Sequence, residues 1–209
     1  MAKSFSKFQE EIRESFSPKG VVFTFGRFNP PTAGHSLLID TLIHLANTNK
    51  FTPVVYVSPT VEPKKNPLSY LKKLKYLKLA YPKYKGIFAN APEIKSPFHA
   101  AKTLSDAGFK NVIMVVGSDR VGEFKASIGA YINHPESEKS FDFESFKVVS
   151  AGERDPDSDS VGGMSATKMR QLAAENDFGA FLQGTMPGLS ERFCRELFND
   201  VRAGMKITK

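Results

Sequence analysis

The chain has 209 residues, 41% hydrophobic and 24% charged, which is enough for one folded domain with a sizeable core and excludes wholesale disorder. No apolar run approaches the length needed to span a bilayer, and Met1 to Phe16 carries Glu10, Glu11 and Glu14 where a signal peptide needs an apolar stretch. The net charge of +7 invites a nucleic-acid reading, yet it is uneven: Lys64, Lys65, Lys72, Lys73, Lys75, Lys78, Lys83 and Lys85 crowd one stretch, and Glu153, Asp155, Asp157 and Asp159 another.

The single cysteine, Cys194, can form no internal disulfide; among Phe193, Leu197 and Phe198 it reads as a packing residue, and a cytoplasmic location is expected.

In chain order, Phe5, Phe8, Ile12 and Phe16 predict an N-terminal amphipathic helix over residues 1–17, ended by Ser17-Pro18-Lys19-Gly20. Val21 to Phe25 predicts a buried strand, and Leu37, Leu38, Thr41, Leu42 and Leu45 a helix starting near Gly34. Pro53 to Ser58 predicts a second strand, followed by a helix with Leu68, Leu71, Leu74 and Leu77 on one face. Gly86 to Asn90 is expected as a short third strand, with a helix around Phe98 to Ala107. Val112 to Val116 is the clearest buried strand; a helix is expected near Asp119 and a last strand over Phe146 to Ser150. Helices over about Ser165 to Glu175 and Leu189 to Ala203 close the chain. Apolar strands alternating with helices imply a doubly wound parallel sheet with a helical C-terminal end, read as a single domain.

In such a sheet ligands bind beyond the C-terminal strand ends. Three segments there carry chemistry. The first is Gly26-Arg27-Phe28-Asn29-Pro30-Pro31-Thr32-Ala33-Gly34-His35. Two prolines stiffen this loop, Gly26 and Gly34 permit close backbone approach, and the helix start offers N–H groups to an anion. Thr32 can donate to a phosphoryl oxygen, and His35 to an oxygen gaining charge. The bland alternative is a stiffened turn with a surface histidine. The second is Gly117-Ser118-Asp119-Arg120, where a carboxylate can accept from ribose hydroxyls; the alternative is Ser118 or Asp119 capping a helix. The third is Gly163-Met164-Ser165-Ala166-Thr167-Lys168-Met169-Arg170, an N-capped helix start with Lys168 and Arg170 where the dipole disfavours cations unless an anion binds.

The first segment resembles the T/H-x-G-H signature of the nucleotidylyltransferase superfamily, with Thr32 where many members have histidine. Gly117-Ser118-Asp119, with Phe124 further on, resembles the G-x-D segment of pyridine-nucleotide adenylyltransferases. Ser165, Thr167 and Arg170 match the family's I-S-S-T-x-I-R motif, Met164 and Ala166 departing from it. The likeness spans about Val21 to Asp177, and Ala151 to Pro156 with the C-terminal helix resembles cytidylyltransferase-like proteins of tailed bacteriophages.

The resemblance implies a Rossmann-like sheet with a catalytic core over 21–177 and C-terminal helices over 178–209. It implies transfer of AMP or CMP from ATP or CTP to a phosphate-bearing acceptor, with nicotinamide mononucleotide as the narrower expectation. Thr32, His35 and Arg170 would be catalytic. Gly26, Arg27, Phe28, Asn29, Gly34, Gly117, Ser118, Asp119, Ser165, Thr167 and Lys168 would hold the nucleotide. Lys65, Lys72 and Lys73 are candidates for the acceptor, Lys72 and Lys73 because they follow Asn66-Pro67-Leu68-Ser69 as in the family's acceptor-phosphate helix. Mg²⁺ would arrive on the triphosphate, with no protein metal site; His44, His99 and His134 lack metal-ligand spacing.

The chain has no tryptophan, the ring on which such enzymes stack the pyridine, so Phe28, Tyr70 or Phe98 would substitute. The acidic loop Glu153 to Asp159 lacks an EF-hand's glycine and glutamate and reads as a solvated flap. Relatives of this type often assemble as homo-oligomers. A non-catalytic nucleotide-binding scaffold and an RNA-binding protein remain the competing readings.

Overall fold

The computed structural model describes residues 20–132, 140–152 and 164–207. The expected N-terminal helix, His134 and the acidic loop with Gly163 lie outside them. Four strands form one sheet in the order β2-β1-β3-β4: β1 (Gly20–Gly26), β2 (Thr52–Val57), β3 (Asn111–Val116) and β4 (Ser145–Ser150). β3 runs parallel to β1, with Val21 opposite Val112, and parallel to β4, with Val112 opposite Phe146. Parallel neighbours need crossovers, supplied by α1 (Ala33–Asn49), α2 (Tyr70–Ala80), α3 (Pro97–Asp106) and α4 (Val121–Gly129). The C-terminal end is helical, with α5 (Ala166–Ala174), α6 (Phe178–Gln183) and α7 (Glu191–Gly204). This is the expected Rossmann-like α/β fold.

Packing divides the chain into two compact units. The first contains Met1–Phe25, Leu38–Tyr56 and Ala89–Glu153 and holds the sheet's core, in which Val21, Phe23, Met114 and Phe141 are fully buried. The second contains Gly26–Leu37, Val57–Phe88 and Arg154–Lys209. Within it, Lys72 Nζ pairs with Asp200 at 2.8 Å, and the Tyr76 hydroxyl donates to the same carboxylate at 2.6 Å.

Several local expectations are corrected. Gly86 to Asn90 is not a strand; a 3-10 helix occupies Pro82–Ile87, and the extended backbone after it is short, with Ala89 N–H donating to Val55 O at 3.1 Å. Pro82 suits the first turn of that helix, which takes in Gly86 and Ile87, and Ile87 and Phe88 alone make too brief an apolar run for a strand.

The α2 face also differs. Ser69 caps the helix, so Leu68 precedes it, and Leu71 is 71% exposed while Lys73, Leu74, Tyr76, Leu77 and Ala80 are buried. Positions three apart drift about 60° per step on a helix of 100° per residue, which carries Leu71 to the side opposite this arc.

In α1 the buried residues are Ala33, Ser36, Ile39, Leu42, Ile43 and Ala46, whereas Leu37 is exposed. Near Asp119 a 3-10 turn (Ser118–Arg120) precedes α4.

Candidate active site

Chemistry-bearing residues gather in the second unit, beginning where β1 ends. The Gly26 carbonyl accepts the Ser58 N–H at 2.8 Å. A Cβ at Gly26 would lie 2.6 Å from the Phe28 ring, so glycine here is what lets that ring fold back. Phe28 adopts φ of 46° and is fully buried, its ring centroid 4.9 Å from that of His35. The buried Asn29 side chain accepts the Leu68 N–H at 2.9 Å and donates to the Leu68 carbonyl at 3.3 Å. This pair imitates a strand ladder and ties the loop to the segment before α2. The loop is therefore held at both ends before any ligand arrives.

His35 occupies the first turn of α1. The Thr32 N–H donates to His35 Nδ1 at 3.1 Å, and Thr32 Oγ1 lies 2.8 Å from the same nitrogen. A ring nitrogen that accepts a backbone N–H carries no proton, so the neutral imidazole bears its proton on Nε2. Thr32, fully buried, thus fixes the tautomer that makes His35 a donor. Of the first-turn N–H groups, Ala33 donates to Gly184 O at 3.0 Å, and His35 and Ser36 to Thr32 O at 2.9 and 3.3 Å. Among the described residues, Gly34 N–H is the one in that turn without a backbone acceptor, an orphan donor of the kind that binds anions.

The third motif is joined to the first by one side chain. Ser165 caps α5, its Oγ accepting the Lys168 N–H at 3.1 Å. From the first turns of α5, Arg170 Nη1 donates to Asn29 O at 2.8 Å and Nη2 to Thr167 Oγ1 at 3.0 Å. Burial first, and then the charge of Arg27, push the Arg170 guanidinium below its ordinary pKa; Glu62 opposes this. Arg27, Thr167 and Lys168 are exposed. Two guanidinium groups thus stand close enough to repel at a capped helix start, an arrangement an anion would relieve.

The candidate acceptor lysines have different surroundings. Lys73 is fully buried; its Nζ donates to Ser58 O and Thr60 O, both at 2.8 Å, and burial pushes its pKa down to about 8. Lys72 holds Asp200. Lys65 is exposed, and its N–H, like that of Lys64, donates to the Glu62 carboxylate at 3.0 Å. The loop after β2 is therefore fastened from beneath by a buried ammonium and closed at its tip by one glutamate.

Gly117, Ser118 and Asp119 belong to the first unit, directly after β3. Ser118 and Asp119 are exposed, and the N-cap positions of the 3-10 turn and of α4 fall to Gly117 and Arg120. Helix capping is therefore not what these two side chains do. A Cβ at Gly117 would lie 2.7 Å from Asp119 Oδ1, so the carboxylate turns back over the glycine. Arg120 pairs with Glu123 through Nε at 3.1 Å and Nη2 at 2.9 Å.

Two positioning features escaped sequence reading. Gly184, which caps an α1 donor, lies in the glycine- and proline-bearing turn Gly184-Thr185-Met186-Pro187-Gly188, visible as a turn but not as a partner of Ala33. Lys73 was visible as a cation, but its burial was not. Among the described residues no group of three or more His, Cys, Asp or Glu is placed to hold a metal ion, and no helix is long and apolar enough to cross a membrane.

Among curated proteins, none matches the chain in sequence. Solved structures match its fold. A Vibrio parahaemolyticus protein described as a nicotinate-nucleotide adenylyltransferase has TM-score 0.53 at 16% identity, over 90% of this chain and 96% of that one. The Plasmodium falciparum nicotinic acid mononucleotide adenylyltransferase, complexed with NaAD, has TM-score 0.55 at 13% identity, over 86% of this chain and 97% of that one. The same protein complexed with APC gives TM-score 0.52 at 14% identity over the same shares. The family model for cytidylyltransferase-like proteins matches residues 23–172. Those residues take in all three motifs, and the chain belongs to the cytidylyltransferase-like family, within the nucleotidylyltransferase superfamily.

Proposed function

We propose that this protein transfers a nucleoside monophosphate from ATP or CTP to a phosphate-bearing acceptor and releases pyrophosphate, with residues 21–177 as its catalytic core. The observation that carries this reading is Arg170, held by Asn29 O and Thr167 Oγ1 beside the like charge of Arg27. Such a clamp gains its purpose from a bound polyphosphate. An oxygen of the acceptor phosphate attacks the α-phosphorus in line; the bond from that phosphorus to the bridging oxygen breaks, and pyrophosphate leaves with both electrons. No covalent enzyme intermediate is required, and the protein's share is positioning and charge stabilisation.

In this scheme His35 Nε2–H and the Gly34 N–H donate to phosphate oxygens as charge develops. Thr32 keeps His35 in the donating tautomer. Arg170, Arg27, Ser165, Thr167 and Lys168 surround the departing pyrophosphate, and the magnesium nucleotide is the substrate. Asp119, with Gly117 and Ser118, serves the ribose hydroxyls, an assignment supported by their freedom from capping. Lys65 is the lysine of the β2 loop that serves the acceptor, because Lys72 and Lys73 are engaged within the chain.

The narrower reading is adenylyl transfer to nicotinamide mononucleotide; the structural neighbours are adenylyltransferases named for the related nicotinate nucleotide, which supports a pyridine mononucleotide as the class of acceptor. Polyanion binding along 64–85 finds less support, since Lys72 and Lys75 are paired with Asp200 and Glu196.

Titration calorimetry with magnesium ATP and magnesium CTP tests the reading. One of them binds the wild type, and Arg170→Ala weakens that binding about tenfold or more, the scale of a lost charged hydrogen bond. Equal affinity in the variant would remove Arg170 from the phosphate site.

A further inference from the structure

The Gly184 turn lies outside the residues the family model matches, yet it touches the starts of both phosphate-facing helices. Its carbonyl takes the Ala33 N–H at 3.0 Å, one of the donors at the head of α1. On its other side, a Cβ at residue 184 would lie 2.3 Å from Met164 Cγ and 2.5 Å from Met169 Sδ. Met164 precedes the Ser165 cap and Met169 precedes Arg170, and both methionines are buried. The missing side chain at 184 is therefore the space in which the start of α5 rests.

The turn is fastened from its own side. Gly184 N–H donates to Phe181 O at 3.1 Å and Thr185 N–H to Leu182 O at 3.3 Å. Thr185 Oγ1 donates to Leu182 O at 2.7 Å and lies 3.2 Å from Cys194 Sγ in α7. Gly188 permits the next close approach, since a Cβ there would lie 2.1 Å from Ala80 O.

We propose that the Gly184–Thr185 turn is a positioning element of the nucleotide site: one carbonyl sets α1, and one absent side chain sets α5. It touches no substrate; it acts through Ala33 and through the methionines that immediately precede Ser165 and Arg170. The proposal rests on the nucleotide reading above. Its consequence is that the C-terminal helices are required for nucleotide affinity and not for stability alone.

The test joins amide exchange to calorimetry on the full chain. In the ligand-free wild type the Ala33 amide exchanges slowly, as a buried hydrogen-bonded donor. In Gly184→Ala it exchanges at least tenfold faster than in wild type, and the triphosphate that binds the wild type, magnesium ATP or magnesium CTP, binds about tenfold more weakly. Adding Met164→Ala removes the nearer of the two clashes and recovers part of that loss, the contact with Met169 Sδ remaining. Val201→Ala, a cavity in α7 away from the turn, lowers the unfolding midpoint while leaving triphosphate affinity within about twofold.

Rapid Ala33 exchange in the wild type overturns the proposal without any variant, so the outcome does not depend on Gly184→Ala folding. Unchanged affinity in Gly184→Ala, or an equal loss in Val201→Ala, also overturns it. A wild type that binds neither triphosphate defeats the nucleotide reading itself and this proposal with it. A wild type that binds, beside a Gly184→Ala that binds equally, defeats the positioning element alone.

Discussion

Lys73 gives a prediction whose size follows from its surroundings. Its ammonium is fully buried and donates to the Ser58 and Thr60 carbonyls, and Ser58 in turn holds Gly26 at the head of the signature loop. Burial lowers its pKa from 10.5 to about 8, while the unfolded chain keeps the ordinary value. Between those two pH values the unfolded state binds more protons than the folded one, so stability rises with pH across that window. Each pH unit adds at most about 1.4 kcal/mol. Allowing for the gradual onset near the folded pKa, the gain from pH 7.5 to 9.5 is about 2 kcal/mol. Below that window both states are charged and the contribution is flat.

Urea unfolding of wild type and Lys73→Met at pH 7.5, 8.5 and 9.5 isolates the effect, because every other group titrates in both proteins. The variant is the less stable at every pH by about 1–3 kcal/mol, having left two carbonyls without their donor. The gap widens by about 2 kcal/mol on going to pH 9.5. A gap that stays constant with pH would mean that Lys73 keeps an ordinary pKa inside the fold.

Three further outcomes are expected. His35→Ala lowers kcat by about 10²–10³-fold, the scale of one lost charge-stabilising donor, and costs about 1–3 kcal/mol in unfolding because the buried Thr32 N–H loses its acceptor; wild-type turnover would remove His35 from the chemistry. Arg170→Lys keeps the charge but loses the fork that spans Asn29 O and Thr167 Oγ1, so triphosphate affinity falls yet stays above that of Arg170→Ala; calorimetry on the pair decides. Gly204→Ala places a Cβ 2.1 Å from Pro67 O, a backbone atom that cannot swing aside, and costs about 1–3 kcal/mol in urea unfolding.

The sheet was legible because parallel strands are buried on both faces and read as apolar runs. Val21 to Phe25 and Val112 to Val116 fall within β1 and β3. Helix faces were less legible, as Leu37 and Leu71 show: both are exposed, because hydrophobic spacing names a face only when the helix start is also known. The segment Gly86 to Asn90 had strand composition in two residues and turn chemistry in the rest, and the 3-10 helix that begins at Pro82 runs through its first two residues.

In the site, residue types were readable and their engagements were not. Thr32 and His35 were visible as a pair at helix spacing, but that Thr32 donates to Nδ1 and so selects the tautomer depends on the loop's path. Lys73 read as a candidate for the acceptor because lysines are almost never fully buried without partners; its partners are backbone carbonyls, which no side-chain pattern reveals. Gly184 carried a turn signal, but its acceptor role is a contact with a residue about 150 positions earlier.

The most direct test of the central claim is pyrophosphate release with Mg²⁺, running ATP and CTP separately against phosphorylated acceptors that include nicotinamide mononucleotide. Release is expected with one triphosphate and one acceptor together, and none when either is omitted. Triphosphate binding without pyrophosphate release from any pair would contradict that claim and leave a nucleotide-binding scaffold in its place.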